Sequence, residues 1–158
     1  MGVVSTSELR EIVAQLREKG ERIVFTNGRF DLVHVGHVRY LQRAKSFGTV
    51  LIVGINSDAA VRKISDPGRP INPAEYRMEV IAALKPVDYV VEFDEPTANS
   101  LLELIRPDVY VKGGDYRSKP LPEAETARRV GARLELVDLE AGQSTTGIIE
   151  RIVSRYGR

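Results

Sequence analysis

No cysteine occurs among the 158 residues, which excludes disulfides, thiolate catalysis and zinc sites built on sulfur, and leaves the redox compartment open. An excess of charge is missing too. Lysine and arginine number 23 against 22 aspartates and glutamates, for a net charge of +1. That balance gives no electrostatic case for nucleic acid or a membrane as partner, so any phosphate binding has to be local. Neither a leader-like N-terminus nor an apolar run long enough to cross a bilayer is present, and a cytoplasmic protein is expected. Two common phosphate-binding signatures are also absent, the Walker loop G-x-x-x-x-G-K-[ST] and the dinucleotide fingerprint G-x-G-x-x-G.

The hydrophobic share of 42% suffices for one sizeable core but not for two, so residues 1–158 are expected to form a single domain. Residues 1–20 read as a packing helix: Ser5 and Glu8 have capping-box spacing, Leu9, Ile12, Val13 and Leu16 share one face, and Gly20 ends it. Short apolar runs then alternate with helical patterns. "RIVFT" from 22, "TVLIVGI" from 49, "VDYVVEF" from 87, "PDVYVKG" from 107 and "ARLELVDL" from 132 predict five strands. Helices are predicted near 37–47, 58–64, 73–84, 97–105, 122–130 and after Ser144. Strands of almost continuous Val, Ile and Leu, separated by helices, argue for an α/β class with a doubly wound, five-stranded parallel sheet of Rossmann-like type. Ligands of such sheets sit beyond the carboxyl ends of the strands, which directs attention to the loops after Thr26, Ile55, Lys112 and Leu139.

The first of those loops, "TNGRFDLVHVGH", carries the chain's two histidines. Gly28 follows the strand directly, and Gly36 lies at the mouth of the next helix, where free N–H groups and the positive end of the helix dipole favour an anion. His34 and His37 are three residues apart, a spacing that lets both imidazoles converge there. A bland alternative is that they cap or pack the helix. A metal is a second alternative, but two ligands with no identifiable third make a poor zinc site. Lys45, about 12 Å along the helix from His37 at 1.5 Å per residue, reads as structural.

"TNGRFD" with "HVGH" resembles the H-x-G-H signature of the nucleotidyltransferase superfamily, which includes cytidylyltransferases and adenylyltransferases. "GINSDAAVRK", "RPINPAEYRM", "VKGGDY" and "GQSTTGII" follow in family order and make the chain most similar to the D-glycero-β-D-manno-heptose 1-phosphate adenylyltransferase domains of ADP-heptose synthases. The resemblance implies in-line attack of a sugar 1-phosphate on the α-phosphorus of ATP, giving an ADP-sugar and pyrophosphate. It implies catalytic roles for His34, His37 and Lys63, and a nucleotide cradle from Thr26, Asn27, Gly28, Arg29, Phe30 and Gly36. Lys112, Gly113, Gly114 and Asp115 would border the nucleotide, and Ser144, Thr145 and Thr146 would hold its phosphates from the start of the last helix. Arg69 and Arg77 would meet substrate phosphate. Magnesium would be bound mainly through substrate phosphates, the protein would be a homodimer, and a separate sugar kinase would supply the 1-phosphate. A cytidylyltransferase for glycerol 3-phosphate is the alternative, and a nucleotide sensor without catalysis a more distant one. Relatives commonly carry cysteine at the place of Arg29 and lysine near Ser65. Cytidylyltransferases usually have arginine where this chain has Leu139, which favours adenine.

Overall fold

The computed structural model describes residues 1–158. One sheet of six strands runs through it: β1 (Gly2–Val3), β2 (Ile23–Gly28), β3 (Val50–Asn56), β4 (Tyr89–Phe93), β5 (Val109–Gly113) and β6 (Arg133–Val137). The spatial order is β1-β4-β3-β2-β5-β6, and every neighbouring pair is parallel. Seven α-helices connect and flank it: α1 (Thr6–Glu18), α2 (Val35–Lys45), α3 (Asp58–Ile64), α4 (Ala74–Ala82), α5 (Asn99–Ile105), α6 (Ala124–Arg129) and α7 (Thr145–Tyr156). None of them is long and apolar enough to cross a membrane.

Five strands were expected, and the sixth is a correction. β1 adds two residues to the edge of the sheet beside β4, in a segment whose helical periodicity gave no room to a strand signal. The expected capping box is present, with Glu8 N–H donating to Ser5 Oγ and Ser5 N–H to the Glu8 carboxylate.

Strand alternation divides the core in two. Ile23 and Phe25 of β2 face a layer made by Leu9, Val13 and Leu16 of α1, Leu101, Leu102 and Ile105 of α5, and Ala127 of α6. Val24 faces the other layer, with Leu41 and Ala44 of α2 and Ile81 of α4. The chain therefore lays its helices on one side after β2 and β3, and on the other after β4 and β5. The reversal falls between neighbouring strands β2 and β5, the switch point at which open α/β sheets form a crevice. Lys45, at the far end of α2, pairs with Asp88.

Candidate active site

A cavity of about 660 Å³ opens over the carboxyl ends of β2 and β5, a size suited to a nucleotide-scale ligand. His34, His37, Gly36, Lys112, Ser144, Thr145 and Thr146 all line it. The two helix starts that are more than a hundred residues apart in sequence thus share one space.

Local sequence explains the histidine geometry. Phe30 takes a left-handed backbone with φ +50°, a conformation costing a non-glycine residue about 1 kcal/mol or more. Its ring lies over Gly28, where an added Cβ would come within 2.9 Å of it, and stands 5.2 Å from the His37 ring. His34 is the N-cap of α2. Its Nδ1 accepts the Gly36 N–H at 3.1 Å, and His37 Nδ1 accepts the His34 N–H at 3.3 Å. This is a capping box made of imidazoles. Gly36 is required by it, because a Cβ there would stand 2.8 Å from His34 Cε1.

An imidazole that accepts at Nδ1 in its neutral form carries its proton on Nε2. Burial lowers the pKa of His34. Burial, then the neighbouring His34 charge, pushes His37 down to about 4. The stacked rings, with centroids 4.0 Å apart, therefore present two neutral Nε2–H donors to the cavity. The capping reading holds, and because it occupies only Nδ1 of each ring it leaves Nε2 available to the ligand-binding reading.

Across the cavity Ser144 caps α7, its Oγ accepting the Gly147 N–H at 2.9 Å. Thr145 Oγ1 donates to the Leu32 carbonyl at 3.3 Å, tying α7 to the β2–α2 loop. Arg69 Nη2 donates to Thr146 Oγ1 at 3.3 Å. Arg29, also on the wall, donates to Ser65 Oγ at 2.8 Å and so bridges to the loop after α3. Lys112 Nζ donates to the Asn27 carbonyl at 3.2 Å, and burial lowers its pKa. Asn27 Oδ1 accepts from Tyr110 at 2.6 Å.

Other expected site residues stand elsewhere. Arg77 is 1% exposed, and its donors are consumed by the carbonyls of Asn72, Arg29 and Asn56 and by Asp58 Oδ1, at 2.7 to 2.9 Å. It is off the cavity wall and locks the loop after β2 to the end of β3. Lys63 lies exposed on α3 and is not on the cavity wall. Thr26 is fully buried, its hydroxyl shared between Tyr40 and the Val111 carbonyl, both at 2.8 Å, so it supports the cradle from below. Gly114 lies off the wall, whereas Gly113 and Asp115 are on it. Asp115 pairs with Lys119 at 2.9 Å.

Two carboxylates escaped sequence reasoning. Asp31 is 5% exposed and accepts the N–H groups of Ile71 and Asn72 at 2.8 to 3.0 Å, anchoring the "RPIN" loop beside the cavity. Glu123 is equally buried, at 5%. Neither position has a spacing signal, since each partner is remote in sequence. No three His, Cys, Asp or Glu side chains gather where they could hold a metal ion.

A crevice at the switch point with polar groups at two helix starts suits a nucleotide-scale polyanion. The chain belongs to the cytidylyltransferase-like family, whose model matches residues 25–151. Among curated proteins it is 48% identical over 148 residues to the bifunctional protein HldE of Syntrophotalea carbinolica, covering 94% of this chain and 30% of that protein. It is 50% identical over 149 residues to HldE of Geobacter sulfurreducens, with 94% and 30% covered. The chain thus spans about a third of the length of these relatives. Among solved structures, the lipopolysaccharide core biosynthesis protein of Thermoplasma volcanium matches with TM-score 0.62 and 27% identity, over 77% of this chain and 98% of that one. Pantoate-beta-alanine ligase of Francisella tularensis shares the fold with TM-score 0.61 at 14% identity, over 92% and 69% of the two chains.

Proposed function

We propose that this chain transfers AMP from ATP to a sugar 1-phosphate, D-glycero-β-D-manno-heptose 1-phosphate, releasing pyrophosphate and an ADP-heptose. The observation that supports it most is the meeting of the His34 and His37 Nε2–H donors with the start of α7 around one cavity. Identity of 48–50% to HldE proteins and likeness to a lipopolysaccharide core biosynthesis protein support the heptose assignment.

In this reading a phosphate oxygen of the acceptor attacks the α-phosphorus, a new P–O bond forms, and the bond to the β-phosphate bridging oxygen breaks. Charge spreads over the phosphoryl oxygens as this happens. Neutral imidazole donors fit that task, because they stabilise the developing charge without a proton having to leave. The N-termini of α2 and α7 add their partial positive charges. Magnesium would neutralise charge on the triphosphate; with no protein cage for it, it would be held by phosphate oxygens. Arg69, positioned between Asp31 and Thr146, would meet the triphosphate.

The cytidylyltransferase-like family model favours a second reading, transfer of CMP from CTP to glycerol 3-phosphate. Pyrophosphate release measured with ATP and CTP, each with heptose 1-phosphate and glycerol 3-phosphate, separates the two. Turnover with ATP and heptose 1-phosphate is expected; dependence on CTP would overturn the choice.

A further inference from the structure

The cavity straddles the switch point, so its two walls come from opposite sides of the sheet. Histidines and the start of α7 make one wall; Pro96 after β4, Tyr116 after β5 and Pro122 with Glu123 before α6 make the other. Glu123 is the unusual member. Its Oε1 accepts the Ala98 N–H at 3.1 Å, which fixes the side chain against the start of α5. Oε2 makes no hydrogen bond or ion pair within the chain, yet Asn99 Oδ1 is the only buried side-chain polar atom sealed off without a partner. Oε2 is therefore not sealed in the core, and Glu123 lines the cavity. Lys112, on the same cavity wall, is its charged neighbour, and the oxygen left without a partner keeps acceptor capacity for a ligand that donates hydrogen bonds.

The remaining wall space narrows what that ligand is. Leu139, 58% exposed, lies against Gly113 beside the α7 wall, where a Cβ on Gly113 would meet it at 3.2 Å. It offers an apolar platform for a base next to the phosphate seat. Beside the stretch that Arg29, Ser65 and Arg69 contribute, the far wall is open to the acceptor. There the flat faces of Pro96 and Pro122 suit C–H surfaces of a sugar, and a free carboxylate oxygen suits its hydroxyls.

We propose that Glu123 recognises hydroxyl groups of the acceptor, a polyhydroxylated sugar phosphate, and sets acceptor specificity; this rests on the adenylyl-transfer reading above. Glu123→Gln is the direct test, since glutamine keeps an oxygen for the Ala98 N–H while replacing the free oxygen with a donor. In the full chain, the KM for heptose 1-phosphate should rise about tenfold or more, as loss of a charged hydrogen bond predicts, while the KM for ATP stays within about twofold. Monodeoxy analogues of the acceptor supply a measurement independent of the variant's folding. One of them should raise KM on the unsubstituted protein by a similar factor, and Glu123→Gln should be insensitive to that deletion. An unchanged acceptor KM, a shift in ATP KM instead, or equal tolerance of every deoxy analogue would overturn the subsite. If the unsubstituted protein transfers AMP to no sugar phosphate, the underlying activity falls and not the subsite alone.

Discussion

His37 Nδ1 accepts the backbone N–H of His34 at 3.3 Å, so the second histidine of the motif is held by the backbone of the first. Each ring thereby spends Nδ1 on the helix and leaves Nε2 without a partner in the chain. The capping role and the proposed catalytic role can be separated by substitution.

Asparagine is a strong N-cap residue. His34→Asn should therefore leave the melting temperature nearly unchanged while lowering kcat about a hundredfold, the usual loss for one oriented transition-state donor. Thermal denaturation and pyrophosphate-release kinetics on the same preparation check this. An unchanged rate in this capped variant would mean that His34 serves the helix alone.

Protonation should act on the fold as well. His37 has its pKa lowered to about 4 by burial and then by His34, below the ordinary 6.5, so the unfolded chain binds more protons than the folded one between these values. This contribution to stability is fully present above pH 6.5 and is lost as pH falls toward 4. Titrating the imidazole resonances by NMR should find His37 neutral, with its proton on Nε2, at pH 6. A midpoint at 6.5 would contradict the buried, backbone-bonded ring.

Arg77 should behave as a structural residue. Its guanidinium satisfies three carbonyls and Asp58, so Arg77→Met leaves several buried acceptors unpaired and should cost about 3 kcal/mol or more in urea denaturation. A variant of normal stability with a raised KM for a phosphate substrate would restore the role that sequence gave it.

These cases show which features were legible in the sequence. Strand alternation and capping chemistry are local, so the parallel sheet, the Ser5 box and the starts of α2 and α7 could be read directly. The meeting of Thr145 with His37 could be read only through the order of motifs, because no local rule brings residues so distant together. Arg77 misled because a cation near a phosphate motif looks the same whether it faces a ligand or three carbonyls. β1 was hidden by its length, and Glu123 and Asp31 by partners on other loops.

The central claim is that both imidazoles and both helix starts hold one triphosphate. A crystal structure with a non-hydrolysable ATP analogue tests it most directly. The expected result is phosphate oxygens within about 3.2 Å of both Nε2 atoms, with the first N–H groups of α7 on the same triphosphate. A triphosphate seated away from the histidines, or touching only one of the two helix starts, would contradict it.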